Sequence, residues 1–133
     1  MDLYAENILD HYRHPRGKTS LENPTIEHKE KNPSCGDELT VQLIINNGKV
    51  EQIGWSGEGC AISQAGMSMI SEELIGKKLE EIDQLEPKFM HDLLGVPVGP
   101  RRIKCALLAL HTVKNAVRKG GGEKERSWTE MLS

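Results

Sequence analysis

The sequence predicts a single α+β domain that combines a small antiparallel sheet with several helices. Apolar residues occupy every second position from Leu39 to Ile45, and the residues that follow at 46–48 tolerate positive φ. This pattern is typical of a half-buried strand that ends in a hairpin turn. Apolar residues over 103–117 recur at helical spacing and predict a long last helix. A chain of 133 residues is long enough to bury one core of this kind.

The elements before and within the hairpin have weaker patterns. Apolar residues among the first fourteen positions predict a helix that ends before Pro15, and 18–24 has the composition of a loop. The highly polar stretch 25–32 is compatible only with an edge strand. The strand that returns from the hairpin changes its alternation between Val50 and Ile53, which predicts a β-bulge.

Helices fill most of the remaining sequence. The spacing over 62–74 predicts a helix, and 79–94 predicts one or two short helices interrupted at Pro87. The stretch 95–100 is too rich in proline and glycine for a regular element. The glycines at 120–122 end the last helix, so the predicted domain spans residues 1–122.

The C-terminal tail, residues 123–133, is predicted to be mobile, although Trp128 could dock on the domain. The chain has 17 Lys+Arg and 20 Asp+Glu, a net charge of −3, which argues against a generally basic surface for nucleic acid. No apolar run approaches the ~20 residues of a membrane span. The N-terminus has no basic segment followed by an apolar stretch, so we expect a cytoplasmic protein with reduced thiols.

The three cysteines are the first candidates for chemistry, and their odd number argues against a closed disulfide framework. Cys35 lies in a loop before a strand, Cys60 at the entrance of a helix, and Cys105 near the start of the last helix. Simple burial explains Cys60 or Cys105 as well as a chemical role does, because a free cysteine packs as a small apolar residue. Cys35 is surrounded by polar loop residues, where an exposed thiol is a liability unless it has a role.

Asp37 strengthens the case for a metal. It follows Cys35 by two positions with Gly36 between them, so the backbone can aim both side chains the same way. Zinc accepts thiolates and carboxylates, and three cysteines with one aspartate complete a tetrahedron. The alternative is an Asx turn in which Asp37 bonds only nearby amides, and the spacing favours neither reading.

Basic residues precede the third cysteine. Arg101, Arg102 and Lys104 all lie within four positions of it, and cations favour the thiolate form. A solvated helix face is the usual explanation of such a run, but cations are disfavoured at a helix N-terminus. His11 and His14 are three positions apart on the first helix and could touch a shared ligand, but polar surface positions are expected for both. The other three histidines have no usable metal-ligand spacing.

Taken together, three motifs resemble those of the IscU/NifU family of iron–sulfur cluster assembly proteins, and most closely its zinc-bound SufU branch. They are Asn-Pro-Ser-Cys-Gly-Asp at 32–37, Gly-Glu-Gly-Cys-Ala-Ile-Ser at 57–63 and Arg-Ile-Lys-Cys at 102–105. The resemblance runs from about Leu3 to Arg118. It implies an α/β (α+β) fold, with a three-stranded antiparallel sheet, helices packed on one side and a long C-terminal helix.

The resemblance also implies a metal site and a partner. The implied metal ligands are Cys35, Asp37, Cys60 and Cys105. In SufU-like proteins this site holds zinc, and a SufS-like cysteine desulfurase that uses pyridoxal phosphate passes its persulfide sulfur to the protein. Cys35 is then the catalytic residue that accepts the sulfur. The candidates for partner binding or thiolate stabilisation are Arg101, Arg102 and Lys104. Downstream cluster assembly proteins are further partners, and neither nucleic acid nor a membrane is implied.

Two departures keep alternatives open. A histidine normally precedes the third cysteine in the scaffold branch, and here Lys104 occupies that position, as in SufU. SufU-like proteins usually carry an extra segment between the second and third cysteines, whereas Cys60 and Cys105 are only 45 positions apart. One alternative is a zinc-dependent sulfurtransferase acting with a desulfurase. Another is a non-enzymatic scaffold on which a transient [2Fe–2S] cluster is assembled and transferred. A third is zinc that only holds the fold together.

Overall fold

The computed structural model describes residues 3–34 and 36–132, and side chains from residue 5 onward. The described helices are α1 (Leu3–Arg13), α2 (Ala61–Leu74), α3 (Leu79–Asp83), α4 (Pro87–Leu94), α5 (Ile103–Gly120) and α6 (Trp128–Leu132). The strands are β1 (Ile26–Lys31), β2 (Glu38–Asn46) and β3 (Lys49–Glu58). A 3-10 turn, Pro100–Arg102, leads into α5, because the fixed φ of proline suits a first helical turn. These elements confirm the predicted fold class.

The sheet is antiparallel with the strand order β1-β2-β3, so β1 is an edge strand as predicted. The β2–β3 hairpin contains the expected bulge. Ile44 pairs with Gln52 while Ile45 pairs with Val50, which leaves Glu51 as an extra residue in β3. This extra residue is the reason that the alternation in the sequence changes between Val50 and Ile53.

The core lies between one face of the sheet and the helices. Leu39, Val41 and Leu43 of β2 are at most 1% exposed, and α5 packs over β1 and β2 while α2 packs against β3. The sequence predicts an apolar stripe on α5, but every residue over 105–117 is buried. The reason is that α2, α3 and α4 cover the sides of α5 that do not face the sheet.

The opposite face of the sheet is covered by the loop that follows α1. Gln42 lies between inward-facing residues of β2 and so points outward, where its side chain accepts a hydrogen bond from the Leu21 amide at 2.8 Å. A Cβ on Gly54, the partner of Gln42, would lie 2.5 Å from the Thr19 carbonyl oxygen. Only glycine therefore lets the loop pass this close to β3.

The tail that the sequence predicts to be mobile makes several contacts with the domain. The Trp128 indole N–H donates to the Lys31 carbonyl at 3.0 Å, and its ring centroid lies 4.4 Å from that of His111. The Asn115 side chain accepts from the Arg126 amide at 2.8 Å and donates to the Arg126 carbonyl at 3.0 Å. Through these bonds the tail contacts β1 and α5. The mobility of the tail stays a prediction. Among the described residues, no helix has the length and apolarity required to cross a bilayer.

Candidate metal centre

Asp37, Cys60 and Cys105 lie together in the structure, although they are far apart in the sequence. One ligand atom from each falls within 4.8 Å of the other two. Asp37 lies just before β2, Cys60 is the N-cap residue of α2, and Cys105 is in the first turn of α5. Asp37 and Cys105 are buried, whereas Cys60 is half-buried and opens the cluster toward solvent. Cys35, the fourth predicted ligand, lies outside the described residues.

The position of Asp37 is fixed by the segment before α2. The Cys60 amide donates to Asp37 Oδ1 at 3.3 Å, a contact between residues 23 positions apart. A Cβ on Gly59 would lie 2.7 Å from Asp37 Cγ, so the carboxylate fits only because residue 59 has no side chain. The predicted alternative, an Asx turn at Asp37, therefore does not account for the contacts described for this carboxylate.

The donor set and its spacing fit a zinc ion. Tetrahedral bonds of about 2.3 Å to sulfur and about 2.1 Å to oxygen place those two ligand atoms about 3.6 Å apart. The separation between Cys60 Sγ and Asp37 Oδ2 is 3.6 Å. Two thiolates and a carboxylate are also the ligand types of many zinc sites. Asp37, Cys60 and Cys105 could therefore hold zinc without a large rearrangement of Asp37 and Cys60.

Asn32, for which the sequence alone predicts no role in the site, contacts this cluster. Asn32 is 1% exposed, and its Nδ2 lies 3.4 Å from Cys105 Sγ. Its Oδ1 accepts a hydrogen bond from the Ser34 amide, two positions later, at 2.9 Å, and this bond forms an Asx turn. The turn was visible in the sequence as an asparagine before proline and serine, whereas the contact with α5 was not.

The basic residues lie at the start of α5. Lys104 Nζ is 3.5 Å from the Ser34 hydroxyl, which places this cation beside the loop of residues 32–37. Arg101 and Arg102 are exposed and form no ion pair with any residue that the structure describes. Their side chains therefore remain available to an approaching anionic group.

A second polar cluster lies between β1, α5 and the tail. Ligand atoms of His28, Glu30 and Glu125 fall within 4.8 Å of one another, and His28 Nε2 donates to Glu30 Oε1 at 2.8 Å. Burial raises the pKa of Glu30, but hydrogen bonds from His28 and Asn115 outweigh it and hold that pKa below its usual value. Burial lowers the pKa of His111, which faces the same carboxylate. Sequence spacing could not find this cluster, because Glu125 of the tail joins His28 and Glu30 only when the tail lies against β1.

Comparisons with known proteins show the family to which the chain belongs. The model of the NifU-like N-terminal domain family matches residues 3–126. The iron–sulfur cluster assembly scaffold protein IscU of Thermotoga maritima is 33% identical, over 88% of this chain and 94% of that protein. The zinc-dependent sulfurtransferase SufU of Bacillus subtilis is 34% identical, over 90% of this chain and 92% of that protein.

A solved structure has the same fold. The crystal structure of a protein described as an iron–sulfur cluster assembly scaffold for the SUF system, from Fervidobacterium islandicum, superposes with a TM-score of 0.75. It is 29% identical, and the match covers 84% of this chain and 94% of that chain. The family model and the two relatives span most of the sequence and include every described residue of the candidate metal centre. The chain therefore belongs to the family of the NifU-like N-terminal domain, which relates it to the iron–sulfur cluster assembly proteins IscU and SufU.

Proposed function

We propose that this protein is a zinc-dependent sulfur acceptor that takes persulfide sulfur from a cysteine desulfurase during iron–sulfur cluster assembly. The proposal is carried by the convergence of Asp37, Cys60 and Cys105, whose spacing suits zinc, beside the loop that contains Cys35. Lys104, where scaffold-type relatives normally have histidine, favours the sulfurtransferase over the scaffold. The similarity to a relative named as a zinc-dependent sulfurtransferase supports the same choice.

Cys35 is the proposed acceptor of the sulfur. Its thiolate attacks the terminal sulfur of the desulfurase persulfide, and a new sulfur–sulfur bond forms on Cys35. The sulfur–sulfur bond of the desulfurase breaks, and its electron pair leaves with the desulfurase cysteine as a thiolate. The terminal sulfur keeps its proton, so Cys35 ends as a persulfide and no external oxidant or reductant is consumed.

The other residues would hold the metal and attract the partner. Bound zinc would supply a redox-inert Lewis acid that keeps its ligand thiols deprotonated. Asp37, Cys60 and Cys105 would hold it, with the Cys60 amide fixing one carboxylate oxygen of Asp37. Arg101 and Arg102 would attract the anionic surface of the partner, because they are exposed at the start of α5. The reaction requires reduced thiols, so we place it in the cytoplasm.

A second candidate function is a scaffold on which a transient [2Fe–2S] cluster is assembled and then transferred. Its support is the compact spacing of Cys60 and Cys105 and the similarity to a relative named as an IscU scaffold. The same cysteine ligands suit an iron–sulfur cluster as well as zinc. In that case the cluster is cargo, and its recipients are downstream assembly proteins.

Metal analysis of the purified protein, combined with a desulfurase assay, tests the proposal. We expect about one zinc per chain, as a single four-ligand site requires, and faster desulfurase turnover when the protein is added. Absence of zinc together with unchanged turnover would contradict the proposal. Anaerobic reconstitution that yields a transferable cluster on protein without bound zinc would favour the scaffold.

The variant Cys35→Ser separates sulfur transfer from a purely structural zinc. We expect it to lose labelled sulfur uptake and desulfurase stimulation while it stays folded, because Asp37, Cys60 and Cys105 remain as ligands. Cys60→Ser is the matched comparison, since it removes a cysteine that the proposal assigns only to the metal. If the wild type accepts no sulfur and Cys35→Ser loses zinc and thermal stability together, zinc has only a structural role. If Cys35→Ser still accepts sulfur, Cys35 is not the acceptor.

A further inference from the structure

We propose that Asn32 is a positioning residue of the metal centre: its carboxamide closes the loop of residues 32–37 and donates a hydrogen bond to the sulfur of Cys105. The inference rests on the proposed function, because it gives Asn32 a role toward a metal-bound thiolate. Asn32 is 1% exposed and Cys105 is 3% exposed. Water therefore does not compete for the contact between them.

Asn32 closes its loop through three hydrogen bonds. Its amide donates to the Asp37 carbonyl at 2.8 Å, and its own carbonyl accepts from the Gly36 amide at 3.0 Å. Its Oδ1 accepts from the Ser34 amide at 2.9 Å. These bonds join Asn32 to residues other than Cys35, so the loop can keep its shape when the Cys35 sulfur changes its partner.

The orientation of the carboxamide follows from these partners. The Ser34 backbone amide can only donate, so the atom that faces it is the oxygen Oδ1. The nitrogen Nδ2 then faces Cys105 Sγ at 3.4 Å. A hydrogen-bond donor beside a thiolate withdraws charge from the sulfur and favours its charged, metal-binding form. A carboxylate at position 32 would instead place two negative groups in contact.

The same side chain connects two of the three segments that build the centre. Asn32 follows β1 and begins the loop that ends at Asp37, while Cys105 lies 73 positions later in α5. Any displacement of the loop would therefore move the donor away from the sulfur. Asn32 acts through Cys105 and the loop, and it is not one of the proposed ligands.

Cobalt(II) is the probe for the first test, because charge transfer from a thiolate to cobalt absorbs at an energy that depends on the charge of the sulfur. Asn32→Asp keeps an acceptor for the Ser34 amide but loses the donor, and Asn32→Ala removes the donor and the acceptor without adding charge. In both variants we expect the charge-transfer band to move to longer wavelength. Ser34→Ala is the matched control, since it keeps Asn32 and removes only a neighbouring hydroxyl, and its band stays in place.

Release of zinc to a chromophoric chelator is the second readout. Removal of a residue that orients a metal ligand weakens a site by about 10–100-fold, so we expect both Asn32 variants to release zinc faster by that factor. Circular dichroism checks that each variant is folded, and Asn32→Ala alone tests the inference if Asn32→Asp does not fold. An unshifted band and an unchanged release rate would overturn the inference. A wild-type protein without a thiolate band would instead overturn the proposed function.

Discussion

Gly59 leaves space for the Asp37 carboxylate of the metal centre because it has no side chain. A Cβ at this position would lie within 2.9 Å of three atoms of Asp37, among them Oδ1 at 2.7 Å, so Gly59→Ala must displace the carboxylate. We expect this variant to bind zinc at least about 10-fold more weakly, because a proposed ligand is moved out of place. Competition for zinc against a chelator of known affinity measures the change.

Gly48→Ala is the control for that substitution. Gly48 also has a positive φ, of 73°, but no atom lies within 4 Å of a Cβ built there. Its replacement should cost about 1 kcal/mol of stability through backbone strain alone and leave the zinc affinity unchanged. Equal zinc affinity in Gly59→Ala and Gly48→Ala would show that Asp37 does not depend on the space at Gly59.

The 3-10 turn that leads into α5 is the element that we expect to meet the partner. Arg101→Ala and Arg102→Ala together remove two exposed charges and no described ion pair. Exposed charges at an interface act mainly on association, so the double variant should bind the desulfurase about 10-fold more slowly at low salt. Its zinc content should equal that of the wild type. Association rates that match the wild type at all salt concentrations would place these arginines outside the interface.

The contact between α1 and α2 makes stability depend on pH. His11 is buried, and its Nδ1 lies 2.7 Å from the Ser68 hydroxyl. Burial lowers the pKa of His11 and the Arg16 cation adds to the effect, while Glu72 and Asp10 oppose it. The folded protein thus takes up this proton less readily than the unfolded chain. The contribution of neutral His11 to the free energy of unfolding is complete above 6.5, the pKa of an ordinary histidine in the unfolded chain. This contribution is lost as the pH falls below that value, by at most about 1.4 kcal/mol per pH unit.

Urea unfolding of zinc-free protein at pH 7.5 and pH 5.5 (about one unit to either side of an ordinary histidine pKa) measures this dependence. His11→Gln should reduce the loss of stability between the two conditions, because it removes the buried ring that titrates. His14→Gln, which replaces an exposed histidine just after the end of α1, is the control. A loss on acidification that is the same in His11→Gln as in the wild type would contradict this assignment.

At the scale of the whole molecule, local patterns predicted the elements and failed where distant segments meet. The hairpin and its bulge follow from alternation within a few neighbouring residues, and the order β1-β2-β3 needs only short connections. His11 is expected at the surface from its polar neighbours, but α2 covers it. No local sequence pattern predicts the contact between His11 and Ser68, because these residues are 57 positions apart.

The candidate metal centre could be predicted for a different reason. Asp37, Cys60 and Cys105 belong to residue types whose chemistry limits their roles, so three motifs were enough to suggest that they meet. Asn32 has no such limit, since asparagines are common in turns, and its contact with Cys105 needed the packing of α5 against the loop. The polar cluster around Glu30 was missed because edge-strand residues are usually solvated.

The contacts of Trp128 distinguish a docked C-terminus from a mobile one. The Trp128 ring packs on His111, and its indole N–H satisfies the Lys31 carbonyl on the free edge of β1. Trp128→Ala would leave that carbonyl to water and remove the ring contact, so we expect a loss of about 1–3 kcal/mol in the free energy of unfolding. Leu132→Ala, in the same helix but exposed, should cost no more than about 0.5 kcal/mol. Urea unfolding measures both, and hydrogen exchange of the Asn32 amide reports whether β1 loosens next to the metal-centre loop. A mobile tail, as the sequence alone predicts, would make the two variants equally stable and leave that exchange rate unchanged.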